Sequence, residues 1–193
     1  VKIAKKYGVN VVITDNPPIF HINKQKAIDL ATKDWVLQLD ADERVTPQLR
    51  SEISHLISID GRGSQLNGYW IPRKNYFLGR FIMKGGQYPD YTLRLYKKGK
   101  GRLPQKDVHE QAVVEGKVGY LKNPLLHYPY KSFLEYLIKW NRYNSLLASE
   151  IKEKMKNKNY VEKIFYSIGY LLIKPISWFL ITYLRHKGFM DSW

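Results

Sequence analysis

The sequence is organised around the stretch Trp35-Val36-Leu37-Gln38-Leu39-Asp40-Ala41-Asp42-Glu43-Arg44, in which an apolar run ends in three acidic residues. An apolar run of this length is typical of a strand in a parallel sheet that is covered on both faces. Ligands of open α/β sheets lie beyond the carboxyl ends of the strands, which is where Asp40 and Asp42 follow. The stretch therefore predicts a buried strand that delivers carboxylates to the edge of a sheet.

The two aspartates also indicate a kind of ligand. Mg²⁺ or Mn²⁺ is commonly held by one or two carboxylates and takes its remaining ligands from substrate phosphates. Asp40 and Asp42 therefore predict a site for a divalent metal and a diphosphate. The alternative is a solvated turn after the strand, and the preceding strand together with Glu43 favours the metal site.

Composition limits the classes of protein. The chain has 193 residues, of which 44% are hydrophobic, and this fits one globular domain or one domain with an appendage. The count of 32 Lys and Arg against 17 Asp and Glu gives a net charge of +15, which indicates nucleic acid, an acidic membrane surface or a phosphorylated substrate as partner. The absence of cysteine excludes disulfides and thiolate metal sites.

The chain resembles bacterial family 2 glycosyltransferases, which are inverting enzymes of the GT-A fold that use nucleotide sugars. Residues 35–47 are similar to their W-V-L-x-L-D-A-D-E-R-V-x-P segment, and the likeness continues in order through residues 85–95, 106–111 and 116–128. The resemblance implies the α/β class, with a GT-A-like (Rossmann-like), mostly parallel sheet and flanking helices. In that family an opening β-α-β segment, with an Asp that contacts the nucleotide base, precedes the part matched here.

We therefore expect a piece of a longer protein, truncated at both ends, and the piece alone need not be active. Residues 1–130 are predicted to form a partial catalytic domain without the opening segment, and residues 131–193 a C-terminal amphipathic helical region. The predicted strands are 9–14, 68–74 and 92–96, with a hairpin at 113–120 and a long loop at 75–87. The predicted helices are 24–31, capped by Asn23; 47 to about 57, capped by Thr46; and 133 to about 155, opened by Ser132 and Glu135 in a capping box.

The resemblance implies roles for residues that bind the two substrates. The start of helix 24–31 lies near the nucleotide in the family, so Lys24 and Gln25 are donor-binding candidates, with ordinary solvated lysines as the alternative. Asp40 and Arg94 complete the donor-binding candidates. A long loop inside a compact domain is usually functional, and in this fold such a loop commonly approaches the acceptor. The acceptor-region candidates are Arg73, Asn75, Gly85, Gly86 and Asp90.

Asp107-Val108-His109-Glu110 places three ionisable groups within four residues. An inverting transfer needs a carboxylate that takes the proton of the acceptor hydroxyl. Glu110 is the first candidate for this base and Asp107 the second, with His109 as an orienting or phosphate-facing group; a surface salt-bridge cluster is the alternative.

His127, which follows two leucines, is either an inert histidine at the edge of the core or, as the resemblance implies, a ligand that joins Asp40 and Asp42 at the metal.

The C-terminal stretch 164–184 is apolar and aromatic, interrupted by Lys174-Pro175. Its length would span a bilayer, but a central Lys costs a few kcal/mol and Pro breaks the run. We therefore predict a hairpin or kinked helix that lies on an anionic membrane surface, with basic flanks and with Tyr170, Trp178 and Tyr183 at the headgroup boundary. The alternative is a core helix that packs on helix 133–155.

Together with these features, the resemblance implies a Mg²⁺- or Mn²⁺-dependent inverting glycosyltransferase at the cytoplasmic face of the cell membrane. It would move a sugar from a nucleotide diphosphate donor to a lipid-linked or cell-envelope glycan acceptor, of the lipopolysaccharide-core type. Aspartyl-nucleophile phosphatases also carry D-x-D after a strand, but they have Thr or Val where Arg44 stands. A basic module without catalysis that binds nucleic acid or an anionic membrane is the other alternative. Nucleic acid is not the expected partner, because a phosphate-binding face avoids carboxylates such as the acidic triplet.

Overall fold

The structure is a computed structural model that describes residues 2–15, 21–59, 65–104 and 111–191. The chain forms two compact units that alternate along the sequence. The first unit consists of Val1–Gln38, Leu56–Trp70 and Thr92–Tyr120, and the second consists of Leu39–His55, Ile71–Tyr91 and Leu121–Trp193. The predicted division at residues 130 and 131 remains a prediction.

Helices lie before, between and after the strands along the chain. The α-helices are α1 (Lys2–Lys6), α2 (His21–Asp29), α3 (Pro47–Ile59), α4 (Phe133–Met155), α5 (Tyr160–Ile168) and α6 (Lys174–Phe179). The strands are β1 (Trp35–Leu37), β2 (Glu43–Val45), β3 (Leu66–Phe77), β4 (Arg80–Ile82), β5 (Asp90–Lys97), β6 (Gly101–Arg102), β7 (Val113–Val114), β8 (Lys117–Tyr120) and β9 (Leu125–His127). The α/β class is confirmed.

The first unit is built on a mixed sheet. Strand β1 pairs antiparallel with β5, which neighbours the first half of β3, and β3 pairs in parallel with β8. The buried cluster of this unit includes Ile28, Leu93, Tyr96 and Leu103. Burial raises the pKa of Tyr96 to about 12, so its hydroxyl stays protonated and donates a hydrogen bond to Gln38 Oε1 at 3.1 Å.

The second unit contains the second half of β3, which pairs antiparallel with β4 and in parallel with β9, and β9 pairs antiparallel with β2. Helix α3 contributes Leu49, which is fully buried, and Ile53 to the core of this unit. The helix begins as predicted, because Thr46 Oγ1 accepts the Leu49 N–H at 3.1 Å and donates to the Pro124 carbonyl at 3.1 Å.

The expectation of a mostly parallel sheet is not confirmed, since the sheet is mixed. Residues 9–14 form no strand, and β1 pairs with an antiparallel neighbour instead of the predicted parallel one. A short apolar run fits a buried strand of either direction, so periodicity could not decide between them. Helix α2 begins at His21, and the Asn23 side chain does not cap it but donates to the Asp15 carbonyl at 2.6 Å.

Two connections also differ from the prediction. Most of the predicted loop 75–87 is a hairpin of β3 and β4, closed by Leu78 and Gly79, whose φ angles are 45° and 98°. Two successive positive φ angles are what a tight hairpin turn requires, but Leu-Gly lacks the Asn or Asp that usually announces it. The predicted hairpin at 113–120 is wrong in its pairing, because β7 pairs with β6 while β8 pairs with β3.

The C-terminal region is helical as predicted. Helix α4 begins after Ser132, whose Oγ accepts the Glu135 N–H at 3.2 Å, although the Glu135 carboxylate accepts from Lys131 and so does not complete the predicted capping box. Tyr160–Arg185 is one continuous helical segment, with π-helical turns at Gly169–Ile173 and Leu180–Arg185 around α6. A π-turn before Pro175 accommodates a residue that has no N–H to donate.

We call Tyr160–Arg185 the apolar segment. By length and composition it is suited to crossing a membrane, with a mean hydropathy of 1.6, and none of its most apolar stretch is buried. Leu171 is 74% exposed and Trp178 66% exposed, which is the opposite of what a core helix would show. The continuous helix also excludes the predicted hairpin within the apolar segment.

Candidate functional site

The second unit brings polar side chains from three neighbouring strands into one row. His127 on β9 stands opposite Asn75 on one side and Glu43 on the other. Directly opposed residues of paired strands share a face of the sheet, so these three side chains are neighbours. The loop before β2 is held to the same place because the Tyr128 N–H donates to the Asp42 carbonyl at 2.8 Å.

A hydrogen-bond network fixes the floor of this row. Arg73 donates from Nε and Nη2 to Asp90 Oδ2, at 3.0 and 2.7 Å, and its Nη1 lies 3.4 Å from Glu43 Oε1. The other carboxylate oxygen of Glu43 accepts the Asp40 N–H at 2.9 Å. The Glu43 side chain is fully buried, and its charge is balanced by Arg73. Glu43 therefore serves the architecture of the site and is not exposed to a ligand.

The same network determines which nitrogen of His127 carries the proton. Asn75 Nδ2 donates to Asp90 Oδ2 at 3.0 Å, because a carboxylate can only accept. Asn75 therefore turns its carbonyl oxygen toward His127 Nδ1, 2.7 Å away, and Nδ1 must be the donor. In the neutral ring the lone pair is then on Nε2, which lies 3.6 Å from Asp42 Oδ2.

The charge state of His127 follows from its surroundings. Burial lowers the pKa of His127 below its ordinary value, the Arg73 guanidinium lowers it further, and the neighbouring carboxylates offset only part of this. A lowered pKa favours the neutral imidazole, and in the tautomer set by Asn75 its Nε2 lies 3.6 Å from the Asp42 carboxylate. A histidine that donates one ring N–H to a carbonyl group and has a carboxylate near its other nitrogen has the arrangement of a metal-binding histidine.

The described part of the chain contains no group of three His, Asp or Glu residues that could hold a metal ion. Of the predicted set Asp40, Asp42 and His127, it brings together Asp42 and His127, while the backbone of Asp40 is engaged with Glu43. Mg²⁺ or Mn²⁺ is commonly held by one or two carboxylates, here that of Asp42, with phosphate and water in the remaining positions. The donor set is therefore compatible with the predicted metal.

A cavity of about 550 Å³ opens beside His127 in the second unit. Its polar lining includes Arg73, Asn75, Gln87 and Asp90, and its aromatic lining consists of Tyr76, Phe77, Tyr130 and Tyr136. Phe77, Tyr130 and Tyr136 meet edge to face, with ring centroids 5.0 to 6.2 Å apart. Convergent polar groups in an aromatic cleft are typical of a site for a small organic ligand.

Three predicted donor contacts lie in the first unit. Gln25 uses its side-chain carbonyl to accept the Leu103 N–H at 2.8 Å and its amide to donate to Asp29 at 2.7 Å. Arg94 is buried on β5, and Lys24 lies near the start of α2. Their role toward a donor remains a prediction. The predicted catalytic residues Asp107, His109 and Glu110 lie outside the described residues.

The acceptor-region candidates are all in the second unit. Arg73, Asn75 and Asp90 are brought together in the network and line the cavity. Gly85 and Gly86 lie in the loop after β4, both with positive φ angles. Sequence reasoning missed the buried role of Glu43 and the aromatic lining. The run Tyr128-Pro129-Tyr130, directly after His127, is the sequence feature from which an aromatic lining could have been predicted.

Proteins similar to this chain are glycosyltransferases by name. Over 179 residues, or 88% of the chain, the sequence is 31% identical to the lipopolysaccharide core biosynthesis glycosyltransferase LpsC of Rhizobium meliloti, and the match covers 62% of that protein. Uncharacterized glycosyltransferases of Rickettsia conorii and Rickettsia typhi are each 26% identical over the whole chain, which covers 70% and 68% of them. No protein-family model matches the chain. The chain thus spans less than two thirds of LpsC.

Proposed function

We propose that this chain is the greater part of an inverting, metal-dependent family 2 glycosyltransferase of the GT-A type. It transfers a sugar from a nucleotide diphosphate donor to a lipid-linked or cell-envelope glycan. The observation that carries the proposal is the similarity to glycosyltransferases along 88% of the chain. The naming of LpsC for lipopolysaccharide core biosynthesis supports an acceptor of the cell envelope.

The donor end of the proposed site is the pair Asp42 and His127, with Asp40 beside it. Mg²⁺ or Mn²⁺ bound there would neutralise the charge of the departing nucleotide diphosphate. Asp42 is the better ligand of the two aspartates, because its side chain is 42% exposed and faces the lone pair of His127. Lys24, Gln25 and Arg94 remain the proposed contacts to the nucleotide.

The acceptor end is the aromatic cavity. The faces of Tyr and Phe rings pack against the C–H faces of sugars, while fixed polar groups bind sugar hydroxyls. Asp90 and Asn75 offer such polar groups, and their orientation is held by Arg73. Glu110 is the proposed base for the acceptor hydroxyl, with Asp107 as the second candidate and His109 as the orienting group.

A donor-hydrolysis screen tests the function. The whole protein is incubated with UDP- and GDP-sugars in the presence of Mn²⁺ or Mg²⁺, and the released nucleotide is measured. We expect release from one donor class, only with metal, and none after chelation. The Asp42→Ala variant in the same screen controls for contaminating hydrolases. If no donor is hydrolysed with either metal by folded protein, the proposed function is wrong.

An anionic membrane surface is the second proposed partner, and it fits a peripheral position on the cytoplasmic side of the cell membrane. The exposed apolar segment has polar contacts on one face. Lys174 Nζ lies 3.3 Å from the ring centroid of Tyr170, whose ring lies 4.9 Å from that of Tyr166, and Lys158 Nζ lies 5.5 Å from the Tyr166 ring. A helix with one polar and basic face and apolar residues elsewhere is suited to lying in a membrane interface.

Flotation with liposomes tests the membrane proposal. We expect the chain to float with anionic vesicles at low salt and to be released at high salt, because each lysine near an anionic surface contributes on the order of 1 kcal/mol. Changing Lys154, Lys158 and Lys163 to Gln should weaken binding up to about a hundredfold, since about 3 kcal/mol is lost.

The matched control changes Lys5, Lys6 and Lys98 to Gln, which removes the same charge from exposed positions of the first unit. An equal loss of binding in both triple variants would contradict a specific role of the apolar segment. Retention in the membrane fraction after carbonate washing would indicate a spanning helix instead of an interfacial one.

A further inference from the structure

The loop Met83 to Gln87, here called the glycine loop, is bonded to the chain that follows the apolar segment. Asp191 Oδ2 accepts the N–H groups of Met83 and Lys84, at 3.0 and 2.5 Å, and the Gly85 N–H donates to the His186 carbonyl at 3.0 Å. The residues joined by Asp191 are 108 and 107 positions apart in the sequence. These bonds therefore connect two distant parts of the second unit.

The backbone is shaped for this contact. Lys187 adopts the left-handed conformation at φ 55°, which ends the apolar segment and returns the chain toward the glycine loop. A Cβ on Gly86 would lie 3.5 Å from the His186 ring, and Gly86 has φ 77°. A Cβ on Gly188 would lie 2.8 Å from the Thr182 carbonyl oxygen, so a larger residue would force the turn apart. Glycine at position 188 permits this close approach, whereas at position 86 glycine is favoured by the left-handed backbone.

The glycine loop also borders the candidate cavity. Gln87 at its end and Ile82 just before it are part of the cavity lining. Two backbone N–H groups that converge on one carboxylate oxygen make charge-assisted hydrogen bonds, which are stronger than neutral ones. One side of the cavity is therefore held in place by the residue that follows the end of the apolar segment.

We infer that Asp191 is a positioning residue. Its two hydrogen bonds to the Met83 and Lys84 N–H groups, here called the clasp, couple the glycine loop to the apolar segment. A lipid surface that engages the apolar segment stabilises the clasp and thereby orders the glycine loop at the cavity. The inference rests on the proposed membrane and acceptor roles. Because coupling is reciprocal, the clasp also strengthens binding of the apolar segment to the lipid surface.

Amide hydrogen exchange of the full chain tests the clasp. We expect Asp191→Ala to speed exchange at Met83 and Lys84 by at least about tenfold, because two hydrogen bonds to a charged group are lost. Asp191→Asn should be intermediate, since its side-chain carbonyl still accepts. Glu150→Ala, which removes one acidic charge from an exposed position of α4, should have no effect. Unchanged exchange of α3 amides reports that each variant is folded.

Vesicles of phosphatidylcholine and phosphatidylglycerol in equal parts then test the coupling. We expect them to slow exchange of the glycine loop in the wild type, and to leave it fast in Asp191→Ala even where that variant floats. Exchange at Met83 and Lys84 that is the same in Asp191→Ala and wild type overturns the clasp. Flotation of the wild type without slower loop exchange overturns the coupling. Failure of the wild type to float contradicts the proposed membrane role and with it the coupling, while the exchange measured without vesicles still decides the clasp.

Discussion

Replacing Asp42 by alanine is expected to weaken Mn²⁺-dependent binding of UDP by about a hundredfold or more, because changes even in the outer shell of metal sites cost 10- to 100-fold. The fold should be unaffected, since the Asp42 side chain is partly exposed and its carbonyl bond to Tyr128 comes from the backbone. Calorimetric titration of UDP with and without Mn²⁺ measures the effect.

The matched control is Asp34→Ala, which removes an exposed carboxylate just before β1 in the other unit. It lowers the negative charge of the protein equally and should leave UDP binding as it is. If Asp42→Ala binds UDP and Mn²⁺ as the wild type does, the metal assignment is wrong. A loss that appears equally without Mn²⁺ would assign Asp42 to the nucleotide instead of the ion.

Asp42, and not Glu43, is the proposed metal ligand because the two carboxylates differ in burial and in partners. Glu43 is fully buried, and its two oxygens are taken by Arg73 and by the Asp40 N–H. A buried carboxylate that is already paired gains little from a cation, whereas removing its partner would be costly. The Asp42 carboxylate, by contrast, is partly exposed and lies 3.6 Å from His127 Nε2. Glu43 and Asp42, neighbours in the sequence, are therefore suited to different roles.

Short sequence patterns suggested candidate residues for this site, and their roles stay predictions. The acidic stretch made Asp42 a candidate, while His127 on β9 became a candidate ligand only through the resemblance to glycosyltransferases. The proximity of these two side chains, and the ring orientation of His127 set by its hydrogen bond to Asn75, depend on the register of β3, β9 and β2. Register across strands distant in sequence is a tertiary property, and no local pattern contains it. The burial of Glu43 could not be predicted for the same reason.

The fold was predicted in part. The helices α3 and α4 carry their own capping residues, and both were predicted close to their observed bounds. The sheet directions were not, because an apolar run such as β1 fits parallel and antiparallel neighbours equally. Helix ends depend on local capping residues, whereas strand pairing depends on contacts between residues that are distant in the sequence.

Replacing Glu110 by glutamine is expected to have the largest effect on turnover, lowering kcat by roughly 10²- to 10⁴-fold. The substitution keeps the size of the side chain and removes only its ability to take a proton. Glu110 lies outside the described residues, so the expectation rests on the chemistry of inverting transfer and on the resemblance. Asp107→Asn should reduce kcat less.

Two measurements on the whole protein separate a base from a binding residue. The kcat is measured at saturating donor and acceptor, and the affinity for UDP and Mn²⁺ is measured by calorimetry. A base acts mainly in the transition state, so Glu110→Gln should lower kcat and leave UDP affinity nearly unchanged. If Asp107→Asn is the more severe variant, Asp107 is the base. If both variants lose UDP affinity and kcat together, the segment binds the donor and the base lies elsewhere.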